Sequence, residues 1–331
     1  MPLHDVHYHH WQGTSTSLWT RRWVIAKNGL STGLQNKALR MVVVLVWSIA
    51  LAIVAALFLI SQLLEPDSIV VRWVEQLNPQ LQGIANALTF WLHDHPEISV
   101  RTTQNVLFYY CAELLTPLSV FALGVVLPLL VTRDLASSAI VIYSSKAVSR
   151  GDYLLGKFCV AFGVLTVTWL GPLCAAWFVG NLLAPDWSFF WHARVALINV
   201  LIYGLISMTV LSGLALGVSA ISSKEKTTPA LWFAWWVLGY VIQPIALNTK
   251  PWLAHLSFTY NLEQIRLAIF RLGDEVKTAQ DNIPLLGDML RKIPSQTMDR
   301  LTNPVVWGSM AALILMLVAA AWVIRRRVRP E

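Results

Sequence analysis

The sequence predicts an all-α, polytopic membrane protein with six transmembrane helices and both ends of the chain on the cytoplasmic side. Three observations predict it. Of 331 residues, 56% are hydrophobic and only 13% charged, about half the charge of an average soluble domain. Uninterrupted apolar runs such as 41–64 and 307–324 are long enough to cross a hydrocarbon core of about 30 Å. Lys and Arg also divide unequally between the connecting segments, as the positive-inside rule requires.

The elements follow in order. Residues 1–17 read as a flexible tail and 18–331 as one membrane domain. No apolar stretch or small-residue cleavage site lies near Met1, so the first helix is expected to be retained. Residues 18–40 mix Leu18, Trp19, Trp23, Ile25 and Leu30 with basic residues, which suits an interfacial helix in the headgroup layer, interrupted at Gly29 and Gly33. Spans are expected at 41–64, 105–132, 154–179, 194–220, 228–248 and 304–325. The cytoplasmic pieces then carry Arg21, Arg22, Lys27, Lys37, Arg40, Arg133, Lys146, Arg150, Lys157, Lys224, Lys226, Arg325, Arg326, Arg327 and Arg329, most of the 25 basic residues, while the outer loops are acidic on balance. The net charge of +7 is thus a topology signal, and a nucleic-acid partner is excluded. Trp187 and Trp191 read as interface anchors. The last outer loop, 249–303, is rich enough in apolar residues for short helices that either dip into the outer leaflet or form a cap.

Few residues carry chemistry. Cys111, Cys159 and Cys174 fall in apolar segments without a CxxC pair and read as small buried hydrophobes. Residues 151–157 fit the GxxxxGK spacing of a phosphate-binding loop, but Phe158 stands where Ser or Thr must ligate Mg²⁺, and the segment opens a membrane helix, not a turn after a strand. His4, His7, His9 and His10 lack a scaffold to fix a metal geometry, and His93-Asp94-His95 reads as a solvated loop. No nucleophile–base pairing or HExxH is present, so the chain reads as a non-enzyme without a catalytic, cofactor or metal site. Glu113 is the clearest intramembrane ionisable residue, two turns from the expected outer end of its helix. Such a charge costs roughly 2.5–3.5 kcal/mol on insertion scales, so it must face protein, water or a proton. With Tyr109, Thr116 and Pro117 it is a pathway candidate or a packing contact. Pro117 and Pro128 should bend this helix or free carbonyls.

The connection between the second and third spans is the most informative stretch. Asp134 is placed to cap a new helix, and Leu135, Ala139, Ile142 and Tyr143 recur at helical spacing on one apolar face. Its pattern of Asp134, Ser145, Ser149, Arg150, Tyr153, Gly156 and Lys157 resembles that of the permease subunits of ABC-2 type transporters, in which an acidic residue after the second span precedes a short helix and an S-R-x-x-Y-x-x-G-K run. It departs at Ala147, near a common proline, and at Ser137-Ser138, near a common glycine. The resemblance implies a bacterial inner-membrane permease that works as a dimer with a second copy, with lipid around it, and points to export. ATP and Mg would sit on a separate cytoplasmic ABC ATPase, with no cofactor in this chain. The helix around Asp134, Leu135, Ala139, Ile142, Tyr143, Ser149 and Arg150 would be the coupling helix, and Lys224, Glu225 and Lys226 a second ATPase contact. The competing classes are an intramembrane enzyme or metal-handling protein built on the histidines and Glu113, and a non-transporting anchor subunit of a larger complex.

Overall fold

The computed structural model describes residues 17–63, 68, 72, 94–137, 149–282, 292 and 294–328. Its helices are α1 (Leu18–Leu34), α2 (Lys37–Leu63), α3 (Pro96–Ala136), α4 (Arg150–Leu182), α5 (Ser188–Ile221), α6 (Thr227–Thr249), α7 (Phe258–Phe270), α8 (Leu272–Asn282), α9 (Ser295–Thr302) and α10 (Val306–Arg327). A 3₁₀ turn, Pro251–Leu256, joins α6 to α7. No strand occurs among the described residues. Six helices, α2 to α6 and α10, are long and apolar enough to cross a membrane, in the expected number and order. Their ends differ: α3 starts at Pro96 and runs to Ala136, beyond 105–132 at both ends.

Local chemistry sets the boundaries. Ser17 accepts from the Thr20 amide at 3.2 Å and starts α1. Ser149 starts α4 by accepting from the Asp152 amide at 3.1 Å while its hydroxyl donates to Asp152 Oδ2 at 2.6 Å, a local N-cap arrangement. Gly29 and Gly33, expected to interrupt α1, do not. The helix continues to Leu34; Gly29 is used for close approach, while a Cβ on Gly33 would meet nothing nearer than 3.6 Å. A Cβ on Gly29 would overlap Val160 of α4, and one on Gly156 of α4 would overlap Ile25 of α1. A second seam of small residues joins α5 to α10, where Gly213 and Gly217 face Leu317 and Ala320. Small residues four apart let helix backbones meet in lipid, where burial of apolar surface offers no drive.

The core lies among α3, α4 and α5, where Leu115, Leu123, Leu127, Leu165, Leu173, Tyr203 and Met208 are buried. Val44 and Leu51 of α2, Leu238 and Val241 of α6, and Leu315 and Val318 of α10 are exposed on the outside, an apolar girdle suited to lipid. Cys111 is buried and Cys174 half-buried, but Cys159 is exposed, which corrects the expectation of three buried thiols. It occupies an apolar helix position that faces outward.

Two spans contain a π-turn, at Pro128–Thr132 in α3 and Thr166–Leu170 in α4. In the first, the Arg133 amide bonds Pro128 O, one residue further back than in an α-helix, and passes over the Leu129 carbonyl. The Lys157 ammonium donates to that carbonyl at 2.8 Å. In the second, the Gly171 amide bonds Thr166 O, and the indole N–H of Trp47 takes the passed-over Val167 carbonyl at 3.1 Å. Pro172, lacking an N–H, cannot serve Thr168 O, which accepts from Ser119 at 3.4 Å. Other indoles brace helix pairs in the same way: Trp169 to Ala112 O at 3.1 Å, Trp177 to Ala193 O at 3.0 Å and Trp232 to Val120 O at 2.9 Å.

The described residues between α6 and α10, 250–282 and 294–305, form a helical cap seated on the bundle. Phe258, Leu262, Ile265 and Phe270 of α7 are buried in the main core. The extension of α3 is bound into this cap by amides: Asn105 donates to Phe270 O at 2.7 Å and to Glu275 at 3.2 Å, and Thr102 donates to Glu275 at 2.7 Å. Gln104 and Asn181 exchange bonds at 2.7 and 3.2 Å, and Asn199 donates to Asn105 at 3.0 Å.

The glycine seam makes a stability prediction. Gly217→Leu forces α10 away from α5 and costs about 1–3 kcal/mol, the usual range for overpacking. Gly151→Ala, where the nearest atom is Ser149 Oγ at 3.8 Å, leaves the unfolding midpoint unchanged or raises it. Thermal unfolding of both variants in detergent is the check, and equal midpoints would refute the close-packed seam.

Candidate functional site

Two ionic clusters lie along α3, one at its C-terminal end and one near its middle. The first gathers at the end that carries the α5–α6 turn. Asp134 accepts from Tyr153 OH at 2.6 Å and pairs with Lys157 Nζ at 2.7 Å, both ions being mostly shielded from water. Asp134 therefore does not cap a new helix, as expected. It stands inside the continuation of α3 through Arg133–Ala136, because Lys157 and Tyr153 of α4 claim its carboxylate. Arg22 of α1 donates to Asp152 at 2.6 Å. Arg133 makes a two-pronged contact with Glu225 at 3.1 and 3.3 Å, and Arg150 donates to Ile324 O in the last turn of α10 at 2.9 Å. One knot thus fastens α1, α3, α4, the α5–α6 turn and α10 at this end.

The sequence-derived residues are placed as follows. Asp134, Ser149, Arg150, Tyr153 and Lys157 all belong to this knot or to the helix cap beside it. Leu135 is half-buried against the core. Ala139, Ile142 and Tyr143 lie outside the described residues, as do His4, His7, His9, His10 and His93. Lys224 and Lys226 sit in an exposed turn, with Glu225 held by Arg133. Residues 151–157 form the first turns of α4, with Lys157 engaged by Asp134. Among the described residues, no three His, Cys, Asp or Glu side chains are grouped to hold a metal ion.

The second cluster surrounds Glu113. It was expected two turns from the outer end of its helix, but α3 begins at Pro96, about five turns away at 3.6 residues per turn. Glu113 and Asp134 stand roughly 31 Å apart along the helix at about 1.5 Å per residue, close to a hydrocarbon thickness of about 30 Å. A hydrocarbon layer with one face at Asp134 would have its other face near Glu113. Its partner is Arg266 of α7 at 3.1 Å, a guanidinium only 4% exposed. Arg266 also lies over the Tyr109 ring at 4.4 Å and donates to the Tyr109 hydroxyl at 3.4 Å, while its Nε has no hydrogen-bond acceptor.

A cavity of about 410 Å³ opens beside this pair, lined by Glu113, Thr116, Tyr203, Tyr240, Gln243, Glu263, Arg266 and Arg300 among others. Glu263 of α7 accepts from Gln243 of α6 at 3.2 Å, and burial pushes its pKa up. Thr116 lines the wall and its hydroxyl donates to Ala112 O at 2.8 Å. Tyr109 backs the guanidinium and Pro117 lies off the wall, so the cavity takes Glu113 and Thr116 from the expected pathway group. Arg266 and Glu263 were missed. They appear in sequence as scattered loop charges, and the available signal was the amphipathic pattern of 258–270, whose buried face includes an arginine.

The fold and these clusters define an all-helical protein with six helices long and apolar enough to span a membrane. A scan against protein-family models finds no match, and a search of curated proteins finds none either.

The Asp134–Lys157 pair makes the next prediction. Lys157→Met leaves the Asp134 carboxylate and the Leu129 carbonyl short of a donor and costs roughly 2–3 kcal/mol, somewhat below a fully buried pair. Adding Asp134→Leu recovers most of that loss. A double-mutant cycle on unfolding in detergent measures the coupling, and strictly additive losses would disprove it.

Proposed function

We propose that this chain is the membrane subunit of an ABC-2 type transporter, oriented with the Asp134–Lys157 end in the cytoplasm and driven by ATP hydrolysis on a separate ABC ATPase. The observation that carries this reading is the meeting of Asp134, Tyr153 and Lys157. These positions were matched to the permease pattern by spacing alone, and their side chains bond one another across the connection that the pattern assigns to a coupling helix. Orientation rests on the basic residues gathered at that end, among them Arg22, Lys27, Arg133, Lys224, Lys226 and Arg325–Arg327. A bacterial inner membrane, export and a homodimeric pathway follow from the resemblance.

Mechanically, the knot supplies what coupling requires. A push on the 138–148 connection reaches α3 through Arg133–Ala136 and α4 through Ser149. The salt bridge and the Lys157–Leu129 bond make those two helices respond as one. Arg133–Glu225 and Arg150–Ile324 extend the response to the α5–α6 turn and α10. Near the middle of α3, Glu113 and Thr116 line the cavity, so one long helix touches both the input and the candidate passage. The intramembrane-enzyme reading gains no grouped histidines among the described residues.

Purification tests the reading. The tagged chain, taken from its native membrane in mild detergent, brings down an ABC ATPase whose ATP hydrolysis it changes. An Ile142→Asp variant of unchanged membrane abundance lowers ATP-driven transport by about ten-fold or more. Absence of any ATPase from the purified chain under cross-linking conditions would sink the proposal.

A further inference from the structure

The cavity beside Glu113 has an unusual charge inventory. Four ionic side chains line it, of which Glu113 and Arg266 satisfy one another at 3.1 Å. Glu263 and Arg300 remain. Glu263 has a neutral amide partner in Gln243, and no salt bridge within 4 Å joins Glu263 to Arg300 or either of them to another described residue. One open carboxylate and one open guanidinium thus share a single cavity without reaching each other. Tyrosine rings (Tyr203 and Tyr240) form part of the wall, and ring faces attract ammonium groups. Arg300 is solvent-exposed on α9 at the rim.

The location narrows the choice further. With Asp134 taken at one face of the hydrocarbon, Glu113 lies roughly 31 Å away along α3, near the other face, which puts the cavity at headgroup depth. Beside it, Tyr110 and Leu114 of α3 and Val237 and Val241 of α6 are exposed apolar side chains, a surface on which an acyl tail can lie.

We infer that this cavity binds a zwitterionic ammonium–phosphate headgroup, the ammonium against Glu263 and the tyrosine rings and the phosphate against Arg300. The charges of such a group are separated by a short linker, and it answers the one open acid and the one open base together. A simple cation leaves Arg300 unused, and a simple anion leaves Glu263 unused. Burial already pushes the Glu263 pKa up, and an ammonium beside it favours the ionised form. The inference gives a substrate or regulator class to the passage proposed above, and it rests on that reading only for the word passage. Binding itself needs no ATPase.

The test uses the full-length chain in dodecyl maltoside and titration calorimetry with hexylphosphocholine, hexyltrimethylammonium and hexyl phosphate, which share one tail. Hexylphosphocholine is expected to bind at least ten-fold more tightly than the other two. Glu263→Gln and Arg300→Gln are each expected to weaken it about ten-fold or more. Arg300 is exposed, so its variant reports on the site without disturbing the core. Tail-free phosphocholine separates the sources. Equal affinity identifies a water-borne zwitterion, and loss of affinity identifies a membrane amphiphile; either keeps the inference. Three equal affinities, no binding at all, or hexylphosphocholine binding untouched by both substitutions would overturn it. Intact binding in a chain that never recruits an ATPase would remove the transporter reading alone.

Discussion

Everything in this structure depends on one constraint: a polar group inside the hydrocarbon must find its partner within the protein. The two π-turns show how it operates. Each passes over a carbonyl, and each passed-over carbonyl is taken by a side chain from another helix, Lys157 for Leu129 and the Trp47 indole for Val167. An irregularity that would be costly in one helix becomes a bond between two. The indoles of Trp169, Trp177 and Trp232 do the same at regular carbonyls. With apolar burial offering little drive in lipid, such bonds, each worth somewhat under 1 kcal/mol on average, and glycine-mediated contact fix how the helices meet.

Helix α3 gives the molecule its mechanical logic. At 41 residues it is longer than a bilayer is thick, and Asp134 and Glu113 stand about one hydrocarbon thickness apart along it. Each acid is held by a base from a different element, Lys157 of α4 and Arg266 of α7. The N-terminal turns of α3 are bound into the cap by Thr102 and Asn105 and to the end of α4 by Gln104, all through side-chain bonds. A displacement entering at Asp134 is therefore delivered to the cavity and the cap by a single rigid element. On the proposed function, that is the path by which a cytoplasmic push reaches the passage.

Much of the fold was legible because helix length and hydropathy are local properties. The six apolar runs appear in the order and number expected, and the pattern over 133–157 named Asp134, Ser149, Arg150, Tyr153 and Lys157 of the knot, though not the pairing of Arg22 with Asp152 or of Arg133 with Glu225. The glycines were less legible. Gly29 and Gly33 look like helix breakers by propensity, yet both lie within α1, and at Gly29 close approach to Val160 of α4 offsets the intrinsic cost of about 1 kcal/mol. Cys159 misled for the opposite reason: an apolar position in a membrane helix is as well suited to lipid as to the core.

By itself the sequence determined which segments are helical spans, where positive charge collects, and which residues between spans two and three carry a recognisable pattern. Only the tertiary structure decided the partners. Asp134 with Lys157, Glu113 with Arg266, and the unjoined Glu263 and Arg300 come from elements separated by tens to hundreds of residues in the chain. Hydropathy follows from composition over about 20 residues, whereas an ion pair requires two side chains within 4 Å, and that distance is set by how whole helices pack.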